Sequence, residues 1–304
     1  MKLSVLMITY NHERFIAQAL DSILMQEVDF EYEIVIGEDC SSDKTREIVC
    51  RYQTMYPDKI RLLLNDVNLG MMENFQRAYL ACQGDFIAIL EGDDFWTNAG
   101  KLQRQVDLLE ANPNLAICFH NAEYLWEIEG EPPTRFLCKQ DQKETSTLED
   151  VLAENFIPTL TSMFRNRLFG DFPQWFAGLK FGDWPLHVLN AQYGDVGYLN
   201  ESMASYRVHS AGAASTAHSD KKKDRENIQA IIDCYKTFDA YFDRRYRSII
   251  AANLAQHYCL LAKGYEGAGE LLKAFLCYAR CLSLSSASDV MRRITGRLGR
   301  MAAP

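Results

Sequence analysis

The sequence predicts an α/β protein: a mostly parallel, Rossmann-like sheet flanked by helices, followed by an all-α C-terminal extension. Three observations predict it. The first hundred residues alternate short apolar runs with amphipathic stretches four times over. Each run ends in a polar cluster where a strand-to-helix loop belongs. The last ninety residues shift to Ala, Leu and Tyr recurring at helical spacing.

In order, SVLMI (4–8) precedes a 3.6-residue pattern carrying Phe15, Ile16, Ala19, Leu20, Ile23 and Leu24, and EIVIG (33–37) precedes KTREIVCRYQTMY. KIRLLL (59–64) precedes MENFQRAYLAC, and FIAIL (86–90) precedes KLQRQVDLLEAN. Parallel sheets of this kind bind ligands outside the carboxyl ends of their strands. The four clusters expected on that rim are Thr9-Tyr10-Asn11, Glu38-Asp39 with Ser41-Ser42-Asp43, Asn65-Asp66 with Asn68-Leu69-Gly70, and Glu91-Gly92-Asp93-Asp94. Asn11, Ser42 and Asp43 read equally as helix N-caps or ligand contacts. Asp39 ends a strand directly and leaves its neighbours to do the capping, so it reads as a ligand residue.

Composition narrows the function. With 304 residues, 48% hydrophobic and 24% charged, the chain has enough apolar content for one large or two modest domains. Its net charge of -9 argues against bulk nucleic-acid binding, which needs a basic surface. Nine scattered cysteines without a C-x-x-C pair read as reduced thiols in a cytoplasmic protein. The opening MKLSVLMITYNH is too short an apolar run for a signal peptide, and nowhere do eighteen apolar residues run together.

In FIAILEGDDFW (86–96), five apolar residues meet three carboxylates, Glu91, Asp93 and Asp94. If the chain stays extended past Leu90, a strand's two-residue period puts Glu91 and Asp93 on one side and Asp94 on the other. Like charges roughly 4 Å apart at an effective dielectric of about 20 repel by on the order of 4 kcal/mol. Such a pair needs a proton, a basic partner or a metal, and no Lys or Arg lies between Asp85 and Lys101. Oxygen ligation suits Mn²⁺ or Mg²⁺, so Glu91 and Asp93 are candidate metal ligands; the plain alternative is a solvated acidic turn. There is no G-x-G-x-x-G after the first strand and no G-x-x-x-x-G-K-S/T loop, so glycine backbone does not cradle phosphates here.

Taken together, V-L-M-I-T-Y-N, G-E-D-C-S-S-D-K-T, N-L-G and G-D-F-I-A-I-L-E-G-D-D resemble the family 2 glycosyltransferases with the A-type fold. F-G-D-W-P-L-H and Y-L-N-E-S-M-A-S-Y-R-V-H-S look like that family's second-half motifs, so the resemblance covers about residues 1–215. It implies a catalytic domain over 1–215, with a nucleotide-binding half (1–95) and an acceptor half (96–215), followed by a loop and helical region over 216–304. It further implies inverting transfer of a sugar from a nucleoside-diphosphate sugar, most commonly a UDP-sugar, to a hydroxyl on a glycan or lipid-linked acceptor, as in bacterial surface polysaccharide synthesis. Thr9, Tyr10, Asn11, Asp39, Asn68 and Gly70 then fall at the nucleotide, with Asp39 accepting from the base imide. Asp93 is the likeliest direct metal ligand on this reading; Glu91 stands where aspartate is commoner, which weakens its own claim to the metal. Asp183 matches the family's catalytic base, and alternatively caps a helix with Pro185 in its first turn. Arg207 and His209 alternate as strand neighbours do, Arg207 as a nucleotide ligand and His209 as a metal ligand or a structural histidine. Met71, Met72, Trp96 and Trp184 line either a sugar pocket or the core.

Residues 211–223 are small and polar, reading as a loop or hinge. Over 290–304, Val290, Ile294, Leu298 and Met301 share a helical face apart from four arginines, which suits peripheral contact with the inner face of a membrane, or equally a packed or frayed terminus. Two other readings are a sugar nucleotidyltransferase, which normally shows a glycine-rich basic loop that residues 8–12 lack, and a non-catalytic nucleotide-sugar-binding scaffold. Sugar, acceptor and oligomeric state are left open by these residues.

Overall fold

A computed structural model of the protein describes residues 1–128, 135–210, 212 and 221–284. The four strand-helix repeats are present. They run β1 (Leu3–Thr9), α1 (Ile16–Leu24), β2 (Tyr32–Glu38), α2 (Thr45–Met55), β3 (Ile60–Leu64), α3 (Met71–Ala81) and β4 (Phe86–Ile89). A short β5 (Phe95–Trp96) intervenes before α4 (Lys101–Ala111). There follow β6 (Leu115–Trp126), β7 (Thr145–Ser146), α5 (Leu148–Ala153), β8 (Met163–Arg165), α6 (Asp183–Ala191) and β9 (Asp195–Val208).

β1 and β2 are near-continuous apolar runs because helices cover both faces of the sheet, and all seven residues of β2 are buried. α1 buries Ile16, Ala19, Leu20 and Ile23, one face of a 3.6-residue period, against the same core as Leu3, Val5, Ile34 and Ile36. The strands order as β3-β2-β1-β4-β8-β6-β9-β5, with β7 also on β9. β3, β2, β1 and β4 are parallel; β8 is antiparallel to β4 and β6, and β9 pairs β6 in parallel. The chain therefore steps outward from β1 to β3 and returns to the other side of β1 at β4. This is a topological switch point, and the crevice it opens lies at the ends of β1 and β4.

Trp96 is core. It is buried, its Nε1 donates to the Leu160 carbonyl (2.9 Å), and Lys101 Nζ lies 3.7 Å from its ring centroid. Extension past Leu90 does not continue as the alternation suggested. The backbone turns at Gly92-Asp93, and the Asp94 N–H donates to the Glu91 carbonyl at 3.3 Å.

By its internal contacts the chain divides into two compact units, Met1–Gly212 and Ala213–Pro304. The described part of the second is α7 (Lys221–Tyr241), α8 (Arg247–Glu266) and α9 (Leu271–Leu284). Leu254 and Leu261 of α8 are buried, whereas Leu272 and Leu276 of α9 are exposed and Ala274 and Cys281 form its buried side. The 290–304 segment and most of the 211–223 loop lie outside the described residues. Among the described residues, no helix is long and apolar enough to cross a membrane.

The approach to β4 is tight. A Cβ on Gly84 would lie 2.4 Å from the Ser4 nitrogen and 2.5 Å from the Leu3 carbonyl carbon. Gly84→Ala is expected to cost about 1–3 kcal/mol as overpacking against backbone, read as a lower urea midpoint with an unchanged denaturant slope.

Candidate active site

Asp39 follows β2 directly and is buried. Its Oδ1 accepts from the Leu69 N–H (2.8 Å) and Asn65 Nδ2 (2.9 Å), and its Oδ2 accepts from the Gly70 N–H (2.9 Å). Asn68 Nδ2 donates to the Asp39 carbonyl at 3.2 Å. One carboxylate thus shapes the whole loop after β3. Gly70, at φ +82°, turns that loop into α3 in a backbone region that side-chain-bearing residues avoid. Behind it, Arg46 joins the buried Glu38 to the Asn65 carbonyl, tying the ends of β2 and β3 together.

The loop after β1 is laced to the loop after β2. Asn11, at φ 57°, accepts the Ser42 N–H on its Oδ1 (2.8 Å) and gives its own N–H to Ser41 Oγ (3.0 Å). His12 N–H donates to Thr45 Oγ1 (2.8 Å), Glu13 N–H to Asp43 Oδ2 (3.0 Å), and the Lys44 N–H to Glu13 Oε2 (2.9 Å). Asn11 and Ser42 therefore clasp two loops, and Asp43 does so while its Oδ1 also accepts the Thr45 N–H (2.9 Å) at the start of α2, as a cap does. Thr9 is buried, with its Oγ1 3.3 Å from His12 Nδ1, while Tyr10 is 44% exposed on the rim.

Against this frame sits the acidic turn. The Gly92 N–H donates to the Ile8 carbonyl (3.3 Å), and a Cβ at Gly92 would come within 2.7 Å of Thr9 Oγ1 and 2.8 Å of His12 Nδ1. Only glycine lets the turn press this closely on β1. The three acids then part company. Asp93 Oδ2 lies 3.2 Å from His209 Nε2 and 3.7 Å from His12 Nε2. Desolvation would raise the Asp93 pKa, but the His209 hydrogen bond and the two imidazoles hold it below its ordinary value. Asp94 is buried; its Oδ1 accepts the Arg207 N–H at 2.8 Å, and desolvation with the Asp93 and Glu91 charges keeps its pKa well above the ordinary range. Glu91 is pushed up to about 8, first by desolvation and then by the charges of Asp93 and Asp183.

The Arg207 guanidinium is 5% exposed. It donates through Nε to the Asp93 carbonyl (2.9 Å) and through Nη2 to Gln18 Oε1 (2.7 Å), pairs with Glu127, and lies over the rings of Phe15 and Phe95. These bonds brace the back of the acidic turn, a role that the reading of Arg207 as a nucleotide ligand did not include. His209 does face the same way as Arg207, as strand alternation suggested, and packs on Phe15 with ring centroids 4.5 Å apart.

Asp183 opens α6, with Gly182 as N-cap. Its Oδ2 accepts from Asn155 Nδ2 at 2.8 Å, and its charge helps to raise the Glu91 pKa. Met72 of α3 packs where a Cβ on Gly182 would sit, 2.9 Å from its sulfur. Trp184 is core, its Nε1 donating to the Val151 carbonyl (2.7 Å). His12, Gln18, Glu127 and Asn155 belong to the site without having been anticipated. His12 stands beside the flagged Asn11, but its partner Asp93 is eighty-one residues away, beyond the reach of local pattern.

Among the described residues, no group of three or more His, Cys, Asp or Glu side chains is gathered tightly enough to form a ready metal cage. The donor set nonetheless fits a divalent ion: an ionised Asp93 faces two imidazoles, with Glu91 close enough for its charge to be felt.

Residues 4–170 match the sequence profile described as "Glycosyl transferase family 2". The chain belongs to this family. The family 2 chain is 35% identical over 222 residues to an uncharacterized protein of Mycobacterium tuberculosis, covering 73% of this chain and 63% of that one. It therefore spans less than two thirds of that relative's length. TarS of Staphylococcus aureus, a poly(ribitol-phosphate) β-N-acetylglucosaminyltransferase, is 35% identical over 99 residues, 31% of this chain and 17% of that one. Its crystal structure with UDP-GlcNAc aligns with a TM-score of 0.64 at 21% identity, covering 93% of this chain and 80% of that one. The mannosyltransferase PcManGT from Pyrobaculum calidifontis, in complex with GDP-Man and Mn²⁺, aligns at 0.59 with 16% identity, covering 100% and 81%. These likenesses show the fold, and the family 2 chain has the A-type α/β architecture that its motifs imply.

The raised Glu91 pKa carries a signed consequence. The folded chain keeps a proton that the unfolded chain, with an ordinary value of 4.5, has lost, so Glu91 lowers stability as pH rises from about 4.5 to about 8. In divalent-free buffer, Glu91→Gln is expected to gain on the wild type across that window and to match it near its lower end, checked by thermal melts as a function of pH.

Proposed function

We propose that the chain is a metal-dependent inverting glycosyltransferase, moving a sugar from a nucleoside-diphosphate sugar, with a UDP-sugar as the leading candidate, to a hydroxyl of a bacterial surface polymer or a lipid-linked glycan. The observation that carries the reading is an ionised Asp93 between His12 and His209, on a turn whose Glu91 also feels the charge of Asp183, in a family 2 chain.

Each role follows from the residue's surroundings. Asp39 has four lone-pair sites, of which three are filled by the loop after β3, so one is left to accept from a base imide. Thr9, Asn11, Asn68 and Gly70 form the rigid rim around it, and exposed Tyr10 offers its ring to the nucleoside. Asp93, with His209 and Glu91 beside it, would hold Mn²⁺ or Mg²⁺, which stabilises the charge of a leaving diphosphate as a Lewis acid. Asp183, at a helix N-terminus that favours its anion, takes the proton from the attacking hydroxyl. Attack opposite the leaving group inverts the anomeric centre in one step.

The donor class agrees with the UDP-GlcNAc and GDP-Man held by the two structural neighbours, and the acceptor class with the poly(ribitol-phosphate) named for TarS. A cytoplasmic location, peripheral at the inner membrane face, is part of the same proposal.

Calorimetric titration with UDP and MnCl₂ tests the metal corner. Asp93→Ala is expected to abolish the manganese-dependent part of binding, and wild-type affinity in that variant overturns the assignment. Asp183→Asn is expected to bind UDP normally while turnover of a nucleotide sugar falls by about 10² to 10⁴-fold, the usual contribution of a positioned base. Nucleotide release at the wild-type rate refutes that role.

A further inference from the structure

Asp183 is the residue on which the proposed chemistry turns, yet its own helix gives it no cationic partner. His187, one turn along α6, is buried, and desolvation pushes its pKa down to about 4 against the pull of Asp183, so near neutral pH it is uncharged. The other charge that Asp183 is coupled to, the Glu91 carboxyl after β4, is another acid. The side-chain donor that does reach Asp183 among the described residues comes from another element. Asn155, two residues past α5, gives Nδ2–H to Asp183 Oδ2 at 2.8 Å. Asn155 itself is exposed, and the chain is anchored on either side of it: Trp184, next to Asp183, donates to the Val151 carbonyl of α5, and Ile157 is buried two residues beyond.

We infer that Asn155 is the positioning residue for the base. The chemistry of the pair is one-directional. An ionised carboxylate only accepts hydrogen bonds, so the amide must present its NH₂, and that donor fills one of the lone-pair sites of Oδ2. The other sites of the carboxylate are left to take the acceptor's proton, in a rotamer set by Asn155. Asn155 touches no substrate in this scheme and acts through Asp183 alone. The inference rests on the reading of Asp183 as base.

The full chain is assayed for nucleotide release from UDP-glucose and UDP-N-acetylglucosamine with MnCl₂, and crystals of the wild type and of Asn155→Ala are compared. Asn155→Ala is expected to lower kcat by roughly 10²-fold with KM for the donor within about twofold, the scale of loss from a misplaced reacting group. Asn155→Asp, equal in shape but lacking the donor and adding a charge, is expected to fall below Asn155→Ala; a merely space-filling role ranks the two the other way. In the Asn155→Ala crystals the Asp183 carboxylate is expected to leave its wild-type rotamer. An unmoved carboxylate overturns the inference whether or not either sugar nucleotide is turned over, as does wild-type turnover of Asn155→Ala alongside an inactive Asp183→Asn. Wild-type turnover of Asp183→Asn instead removes the base reading itself.

Discussion

Three carboxylates within four residues of one turn are tolerable only because each meets a different fate. Asp93 keeps its charge between two imidazoles, Asp94 is buried against a main-chain N–H of β9, and Glu91 has its pKa lifted toward neutrality by desolvation and its neighbours. Repulsion of on the order of 4 kcal/mol per close pair is thereby divided among a charged, an anchored and a proton-holding acid. The geometry that allows it is a glycine pressed against β1 and an arginine held behind the turn. The proposed metal corner depends on that division, since it leaves one ionised oxygen donor at the mouth of the crevice.

The opposite wall is organised by the same economy of means. Asp39 closes the loop after β3, and the loops after β1 and β2 clasp one another through reciprocal side-chain-to-backbone bonds. Loops at strand ends are ordinarily the mobile parts of an α/β fold. Here many of their backbone donors are already matched by side chains of the same rim, so the rim is shaped before any ligand arrives, and less ordering is needed on binding.

Much of the first half was legible because parallel strands covered on both faces write themselves as uninterrupted apolar runs, and because their ends are marked by Asp39 and the Glu91–Asp94 cluster. The condition that the chain stay extended past Leu90 does not hold, and Gly92 and Asp93, both common turn residues, are where it turns. β5, β7 and β8 are two or three residues long and too short to show a period. Arg207 could be seen as polar and strand-borne, but its burial between Phe15 and Phe95, and its bond to Asp93 from 114 residues away, are facts of tertiary packing alone. The apolar spacing of α9 gave its helix correctly while leaving unsaid which side faces inward.

Because β5 finds its partner in β9, and the same distant strand supplies both the N–H that anchors Asp94 and the guanidinium that braces Asp93, the first ninety-five residues are no autonomous nucleotide module. Severed from the later strand, they would keep the motifs of a donor pocket without its acidic wall. The two halves of the Met1–Gly212 unit are thus obliged to mature together, the acidic corner taking shape only when residue 207 has come home.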